Sequence, residues 1–130
     1  MHTGAEFDEH VVVVGVCGAG KTTLVRGLLR LGYPARVCAQ EHSYVPSLFR
    51  RCGRPRALVF LHASLPVVRR RLNVTWDEQV LVEQQARLGL AHNECDCFLN
   101  TDPLTIAQVL HATMRFLETR EPYKPMLCLT

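Results

Sequence analysis

The chain has 130 residues, of which 48% are hydrophobic and 21% are charged, and its formal net charge is +3. This length has room for one domain with a buried core, and the composition is ordinary for a soluble globular protein. No apolar run is long enough to span a membrane, and residues 1–9 are too polar for a signal peptide, so we expect a short tail and a cytoplasmic location.

The first half of the chain predicts two strands around one helix. Residues 10–16 form a continuous apolar run, which is typical of a strand buried on both faces. Residues 21–32 follow with helical spacing and a glycine stop, and residues 35–40 predict a second short strand. Residues 43–53 then predict a loop that contains a short helix.

The second half predicts two further strand–helix units. A third strand is expected over residues 57–63, a helix from Leu65 to Leu72, another helix over residues 77–94 and a fourth strand over residues 95–101. Thr101 or Asp102 is expected to cap a final amphipathic helix. This alternation predicts an α/β fold with a mostly parallel sheet and helices on both faces, spanning residues 10–120 and followed by a tail over residues 121–130.

The strongest motif lies between the first strand and the first helix. Residues 15–22 read Gly-Val-Cys-Gly-Ala-Gly-Lys-Thr and match the phosphate-loop pattern GxxxxGK[ST]. Glycines let successive N–H groups point at a phosphate, and the helix that follows adds its positive end. The candidate nucleotide-binding residues are Gly15, Cys17, Gly18, Ala19, Gly20, Lys21, Thr22 and Thr23. The alternative is a glycine-rich turn without a ligand.

The side chains of this loop predict a nucleoside triphosphate, ATP or another, together with Mg²⁺. Lys21 is expected at the β- and γ-phosphates, Thr22 at the metal and Thr23 at the α-phosphate. The metal also needs an acidic side chain nearby. Glu41 is the candidate because it follows the second predicted strand. We expect it to face the loop, where it would hold a Mg²⁺ water or accept a proton from an acceptor hydroxyl. The alternative is a surface glutamate that caps the next segment.

Two groups of arginines are further candidates, because guanidinium groups suit phosphate oxygens. On the helix of residues 65–72, Val68 and Leu72 are expected to mark the buried side, so Arg71 would reach the site. Arg50, Arg51 and Arg54 are expected to grip an acceptor. A solvated basic surface is the alternative for both groups. The six cysteines show neither a CxxC pair nor metal-ligand spacing, which predicts reduced thiols.

Three stretches together resemble small P-loop kinases of the nucleoside monophosphate, shikimate and gluconate kinase type. They are the phosphate loop, "LVFLHASLPVVRRRL" over residues 58–72 and "CDCFLNTDPLTIAQVL" over residues 95–110. The resemblance implies a three-layer P-loop fold, a catalytic lid arginine at Arg71 and a nucleotide base near Asn100, Asp102 and Pro103. The chain also resembles short bacterial P-loop proteins of unassigned function.

The chain departs from that family in having four predicted strands where five are usual, and in its short lid. We therefore expect a reduced sheet in the order 2-1-3-4, with Glu41 in place of the missing strand-end acid. Lys21, Glu41 and Arg71 are the expected catalytic residues, and Thr22 and Glu41 the expected metal ligands. The leading hypothesis is phosphoryl transfer from ATP to a small acceptor. The alternatives are a non-catalytic nucleotide-binding module and a simple NTP hydrolase, and a nucleic-acid partner is not expected.

Overall fold

In the computed structural model of the protein, residues 7–120 are described. The predicted tail of residues 121–130, which contains Cys128, lies outside them. The strands are β1 (Phe7–Gly15), β2 (Ala35–Val37), β3 (Arg54–His62) and β4 (Cys97–Asn100). The helices are α1 (Lys21–Arg30), α2 (Leu65–Leu72), α3 (Glu78–Arg87), α4 (Gly89–Glu94) and α5 (Ile106–Thr119). Two short 3₁₀ helices span Gln40–His42 and Leu48–Arg50.

The four strands form one all-parallel sheet in the order β2-β1-β3-β4, which confirms the predicted strand number and order. The central strand β1 is buried on both faces, as its unbroken valine run predicts, and Val11 to Val14 are fully inaccessible. It begins at Phe7, ahead of the expected start of the domain at residue 10. Because all strands run in the same direction, their carboxyl ends and the loops that follow them meet at one edge of the sheet.

Helices α1 and α5 pack against each other, and α1 also packs against β2. Each buries an apolar stripe at helical spacing, with Leu24 and Leu28 in α1 and Val109 and Phe116 in α5. Helix α3 contacts the 3₁₀ helix Gln40–His42, and α4 contacts β3. None of the helices within residues 7–120 is long and apolar enough to cross a membrane.

Two expectations about the helices were wrong. The helix expected over residues 77–94 is two helices, because the chain turns at the buried Leu88 between α3 and α4. The final helix is capped by Thr105, whose hydroxyl accepts from the N–H of Gln108 while the Gln108 side chain accepts from the Thr105 N–H. Thr101 and Asp102 therefore do not cap it, and both make contacts elsewhere.

The buried side of α2 also differs from the expectation. Val67 and Val68 are buried, whereas Leu72 is 39% exposed. Helix α2 ends at Leu72, and Asn73 takes a left-handed conformation with φ 55° directly after it. The last turn of α2 therefore presents Leu72 to a surface cleft instead of to the core.

Candidate functional site

The loop from β1 to α1 turns at two glycines immediately before α1 begins. Gly18 and Gly20 have φ values of 80° and 103°, a region that residues with a Cβ rarely enter. No side chain caps the first turn of α1, and Thr22 and Thr23 are exposed there. The amino end of this helix therefore offers donors and partial positive charge to an anion.

Lys21 is buried and folds back across this loop. Its Nζ donates to the carbonyl oxygens of Gly15 at 2.9 Å and Val16 at 3.0 Å. The same atom lies 3.0 Å from Oε2 of Glu41, and the side chains of Lys21 and Glu41 are only 9% and 4% exposed. The ammonium group is therefore held over the inside of the loop by three acceptors.

Glu41 reaches Lys21 from the 3₁₀ helix that follows β2, a few residues beyond the end of the strand. The N–H of Cys38 donates to the Val13 carbonyl at 3.0 Å, which keeps this segment beside β1 after the regular strand has ended. The Oε1 atom of Glu41 is buried and has no hydrogen-bond partner within residues 7–120. The carboxylate thus has one oxygen in use and one available for a ligand.

Cys17 lies in the loop next to the same carboxylate. Its Sγ is 3.4 Å from Nε2 of His42 and 3.9 Å from Oε2 of Glu41. Its backbone N–H donates to Oε1 of Gln84 at 2.9 Å, and the Gln84 amide donates to the sulfur at 3.4 Å. Burial and the negative charge of Glu41 raise the pKa of the Cys17 thiol.

Arg71 and Thr101 tie the loops after β1, β3 and β4 together. The guanidinium of Arg71 donates to the Gly18 carbonyl at 3.0 Å and to the Thr101 hydroxyl and carbonyl at 3.0 and 2.8 Å. The Thr101 hydroxyl lies 3.0 Å from the Ala19 carbonyl and 3.1 Å from that of His62. Arg71 therefore reaches the glycine-rich loop, and its contacts there are with the Gly18 carbonyl and with Thr101.

A cleft of about 480 Å³ opens beside the loop. Gly18, Gly20 and Thr23 line it from the loop and α1, while Leu104 and Val109 line it from the region around α5. This volume is within the range of small-molecule sites, which are commonly about 300–1,000 Å³ and mostly apolar with a few polar groups. The cleft is therefore large enough for a molecule the size of a nucleoside next to the glycine-rich loop.

The three residues that the resemblance placed near the base lie next to this cleft but do not line it. The Oδ1 atom of Asp102 accepts from the Ser64 N–H at 2.9 Å, which holds the start of α2. The Oδ1 atom of Asn100 accepts from the Asp102 N–H at 3.1 Å, and Pro103 is exposed. Their neighbours Thr101, Leu104 and Thr105 line the cleft instead.

The arginines expected to grip an acceptor lie at the other end of the sheet. Arg54 begins β3, whereas the glycine-rich loop after β1 lies beside the other end of that strand, at His62. At a rise of about 3.3 Å per residue, Arg54 and His62 are roughly 26 Å apart. Arg50 precedes Arg54 and pairs with Glu94 at 3.2 Å, so this group does not belong to the candidate site.

Two residues of the site were not expected from the sequence, namely Gln84 as a partner of the loop and Thr101 as its anchor. Gln84 lies on α3 and is only 3% exposed, and it contacts a residue 67 positions earlier in the chain. Its sequence context, a polar helix segment, carries no signal for such a contact. For Thr101 there was a signal, because its position after a strand predicts a place at the carboxyl edge of the sheet.

Comparison with known proteins does not assign the chain to a family: no protein-family model matches it, and no curated protein matches it.

Proposed function

We propose that this protein binds a nucleoside triphosphate, with ATP as the first candidate, together with Mg²⁺ and transfers the terminal phosphoryl group to a small acceptor. The observation that carries the proposal is the buried lysine of a glycine-rich loop, which is held at the amino end of a helix beside a nucleoside-sized cleft. Buried ammonium groups keep an anionic partner, and the partner of Lys21 is Glu41, which a phosphate can replace. A lysine at the amino end of a helix can bind phosphate oxygens through charge-assisted hydrogen bonds.

The phosphates would lie across Gly18 to Gly20 and the first turn of α1. In that arrangement Lys21 exchanges the Glu41 carboxylate for phosphate oxygens, so one anionic partner replaces another and the ammonium stays neutralised. The exposed hydroxyls of Thr22 and Thr23 are in the same helical turn. They supply the polar contacts that a triphosphate needs beyond the lysine.

The residues fit a magnesium ion at this place. Mg²⁺ prefers oxygen ligands and keeps several of its waters, so one hydroxyl and one carboxylate suffice on the protein side. Thr22 supplies the hydroxyl, and Glu41 supplies a carboxylate whose Oε1 atom has no partner within the described residues. When bound, the ion neutralises charge on the phosphate oxygens. In the alternative role, Glu41 accepts a proton from the acceptor hydroxyl once Lys21 has moved to the phosphates.

An acceptor would bind on the Glu41 side of the loop. A second cleft of about 480 Å³ is lined there by Ser43, Tyr44, Glu83 and Arg87. Arg87 donates to the Glu41 carbonyl at 3.2 Å and stacks on the Tyr44 ring with 4.9 Å between the guanidinium carbon and the ring centre. A guanidinium group and a phenol hydroxyl offer hydrogen-bond donors to a small polar acceptor.

A non-catalytic nucleotide-binding module is the second candidate. The observation in its favour is that Arg71, the cation expected to stabilise the transferred group, donates to a loop carbonyl and to Thr101. If those hydrogen bonds persist with nucleotide bound, the arginine positions the loop and contributes less to the transition state. A nucleotide would then order the loop without being turned over.

Calorimetric titration with ATP and Mg²⁺ tests binding. We expect wild-type protein to bind and Lys21→Ala to bind at least tenfold more weakly, because a charged phosphate contact is lost. Arg30→Ala is the control, since Arg30 is exposed in the last turn of the same helix. Equally poor binding of ATP to wild type and Lys21→Ala refutes nucleotide binding.

Product analysis then separates the candidates. ADP that forms only when an acceptor is added indicates a kinase, ADP that forms with water alone indicates a hydrolase, and tight binding without ADP indicates a module. For the kinase we expect Glu41→Gln to abolish turnover and to leave ATP bound. Undiminished turnover in Glu41→Gln removes this residue from the mechanism.

A further inference from the structure

Cys17, Glu41 and His42 bring three different metal-ligating atoms together at the mouth of the loop. Sγ of Cys17, Nε2 of His42 and a carboxylate oxygen of Glu41 all lie within 4.8 Å of one another. Cys17 comes from the loop after β1, and the other two come from the 3₁₀ helix after β2. Cys17 is more than twenty positions from the other two residues, so its proximity to them is a consequence of the parallel pairing of β1 with β2.

We propose that these three residues form a binding site for a borderline-soft divalent cation, with Zn²⁺ as the matching ion. Thiolate, imidazole and carboxylate are the three side chains that bind zinc in proteins. A set that contains sulfur and nitrogen is poorly suited to Mg²⁺, which selects oxygen. The site is therefore distinct in chemistry from the magnesium position proposed above, although Glu41 belongs to both.

The distances between the ligand atoms support a tetrahedral ion. At ordinary zinc bond lengths, two ligand atoms of a tetrahedral site are separated by roughly 3.4–3.6 Å. The observed separations are 3.4 Å from sulfur to imidazole nitrogen, 3.7 Å from that nitrogen to Oε2, and 3.9 Å from sulfur to Oε2. Each edge is within a few tenths of an ångström of the required value, so small side-chain rotations complete one face of the tetrahedron.

Oε1, the second oxygen of Glu41, is not one of the three atoms measured above, and a carboxylate that binds the ion through both oxygens would give it a partner. Oε1 is buried and has no hydrogen-bond partner within residues 7–120, although the side chain is only 4% exposed. A buried carboxylate oxygen without a donor is unfavourable and calls for a cation or a donor from outside the chain. Lys21 engages Oε2 and two backbone carbonyls, so it does not satisfy this atom.

The site has an entry route and an open coordination position. His42 is 59% exposed and Cys17 is partly exposed, so an ion can enter from solvent while Glu41 forms the inner wall. Binding converts the Cys17 thiol to a thiolate and releases its proton to the buffer. Three protein ligands leave the fourth position to water, as in catalytic zinc sites, whereas structural sites have four protein ligands.

Cobalt spectroscopy on the full-length protein tests the site, because tetrahedral Co²⁺ replaces Zn²⁺ and a thiolate ligand adds a sulfur-to-cobalt charge-transfer band. We expect the wild-type protein, freed of metal with a chelator, to bind one Co²⁺ with this band and to lose the band when Zn²⁺ is added. We expect Cys17→Ser to lose the band and His42→Ala to bind Co²⁺ at least tenfold more weakly, since loss of even an outer partner of a metal ligand weakens binding by about 10–100-fold.

The controls are Cys52→Ser and His111→Ala, because both residues are exposed and lie outside the cluster. Both variants should keep the band and the wild-type affinity. Circular dichroism in the presence of chelator verifies that Cys17→Ser and His42→Ala remain folded. A wild-type protein without the charge-transfer band, or a Cys17→Ser variant that retains it, overturns the proposal.

The cobalt experiment and the ATP titration can refute the zinc site and the nucleotide site independently of each other. If ATP and Mg²⁺ bind normally to the chelated protein while Co²⁺ gives no band, only the zinc site is refuted. If Co²⁺ binds with the expected band while ATP binds neither wild type nor Lys21→Ala, only the nucleotide proposal is refuted.

Discussion

The buried pair between Lys21 and Glu41 predicts that phosphate binding and folding stability are coupled through a single contact. The perturbation is Glu41→Gln, which removes the negative charge with little change in shape. Both side chains are at least nine-tenths buried, and the charged atoms are 3.0 Å apart. Removing one partner of a buried ion pair destabilises a protein by about 3–5 kcal/mol, because the other charge is left uncompensated.

The structure places the expected effect at the lower end of that range. Lys21 keeps its hydrogen bonds to the Gly15 and Val16 carbonyls, and the glutamine amide oxygen can still accept from Nζ. We therefore expect a loss of about 3 kcal/mol in the free energy of unfolding. At roughly 4 °C per kcal/mol for a domain of this size, Tm should fall by about 12 °C.

Urea unfolding followed by circular dichroism measures this change, first without ligand and then with pyrophosphate in the absence of metal. We expect pyrophosphate to stabilise Glu41→Gln more than wild type, because in wild type the anion must first displace Glu41 from Lys21. Glu83→Gln is the matched control, since Glu83 is exposed, and we expect its unfolding curve to coincide with that of wild type.

A double-mutant cycle with Lys21→Met completes the test. If the pair acts as described, the variant with both changes should be no less stable than Glu41→Gln alone, because no unpaired charge remains buried. Wild-type stability in Glu41→Gln, or strict additivity of the two changes, would refute the coupling.

Three further predictions concern the fold. A Cβ at Gly15 would lie 2.1 Å from the Leu61 carbonyl oxygen, so Gly15→Ala must separate β1 from β3 and should lower the free energy of unfolding by about 3 kcal/mol in urea denaturation. Iodoacetamide with peptide mapping should modify the exposed Cys52 well before Cys97, because burial raises the pKa of the Cys97 thiol to about 12. Burial opposes ionisation of Asp8, but hydrogen bonds from Arg36 and His10 outweigh it and hold its pKa below the ordinary 3.8. Its contribution to stability is therefore complete above that value and is lost as the pH falls below it, which urea unfolding from about pH 6 to about pH 3 will show.

Each of these three predictions has a control and an outcome that would contradict it. Gly89→Ala is the control for the glycine, because a Cβ there meets no atom within 4 Å, and equal stability of the two variants would contradict the close approach at Gly15. Modification of Cys97 at the rate of Cys52 in native protein would mean that β4 is open to reagent. Asp8→Asn should remove part of the acid sensitivity, and an unchanged pH profile in that variant would exclude Asp8 as its source.

Much of the fold could be predicted from the sequence because its signals are local. The four valines from Val11 onward, followed by glycines and then helical spacing, predict a buried strand, a turn and a helix from neighbouring residues alone. The same alternation, repeated along the chain, predicts a parallel sheet, and the order found agrees with the expected one. The errors lie at the ends of elements. Thr105 caps the final helix and Leu88 ends α3, and hydrophobic periodicity indicates neither.

In the candidate site, too, the short-range features could be predicted from the sequence and the long-range contacts could not. The sequence by itself determined the phosphate-loop motif and the place of that loop at the carboxyl edge of a parallel sheet, because both follow from short-range pattern and strand direction. Only the tertiary structure decided that Glu41 pairs with Lys21, that Gln84 and Thr101 hold the loop, and that Arg54 lies at the opposite end of β3. It also joined Cys17 to His42, which no ligand spacing in the chain foretells. The physical reason is that such contacts depend on the register between strands and on the packing of helices distant in sequence, and these are properties of the whole folded chain.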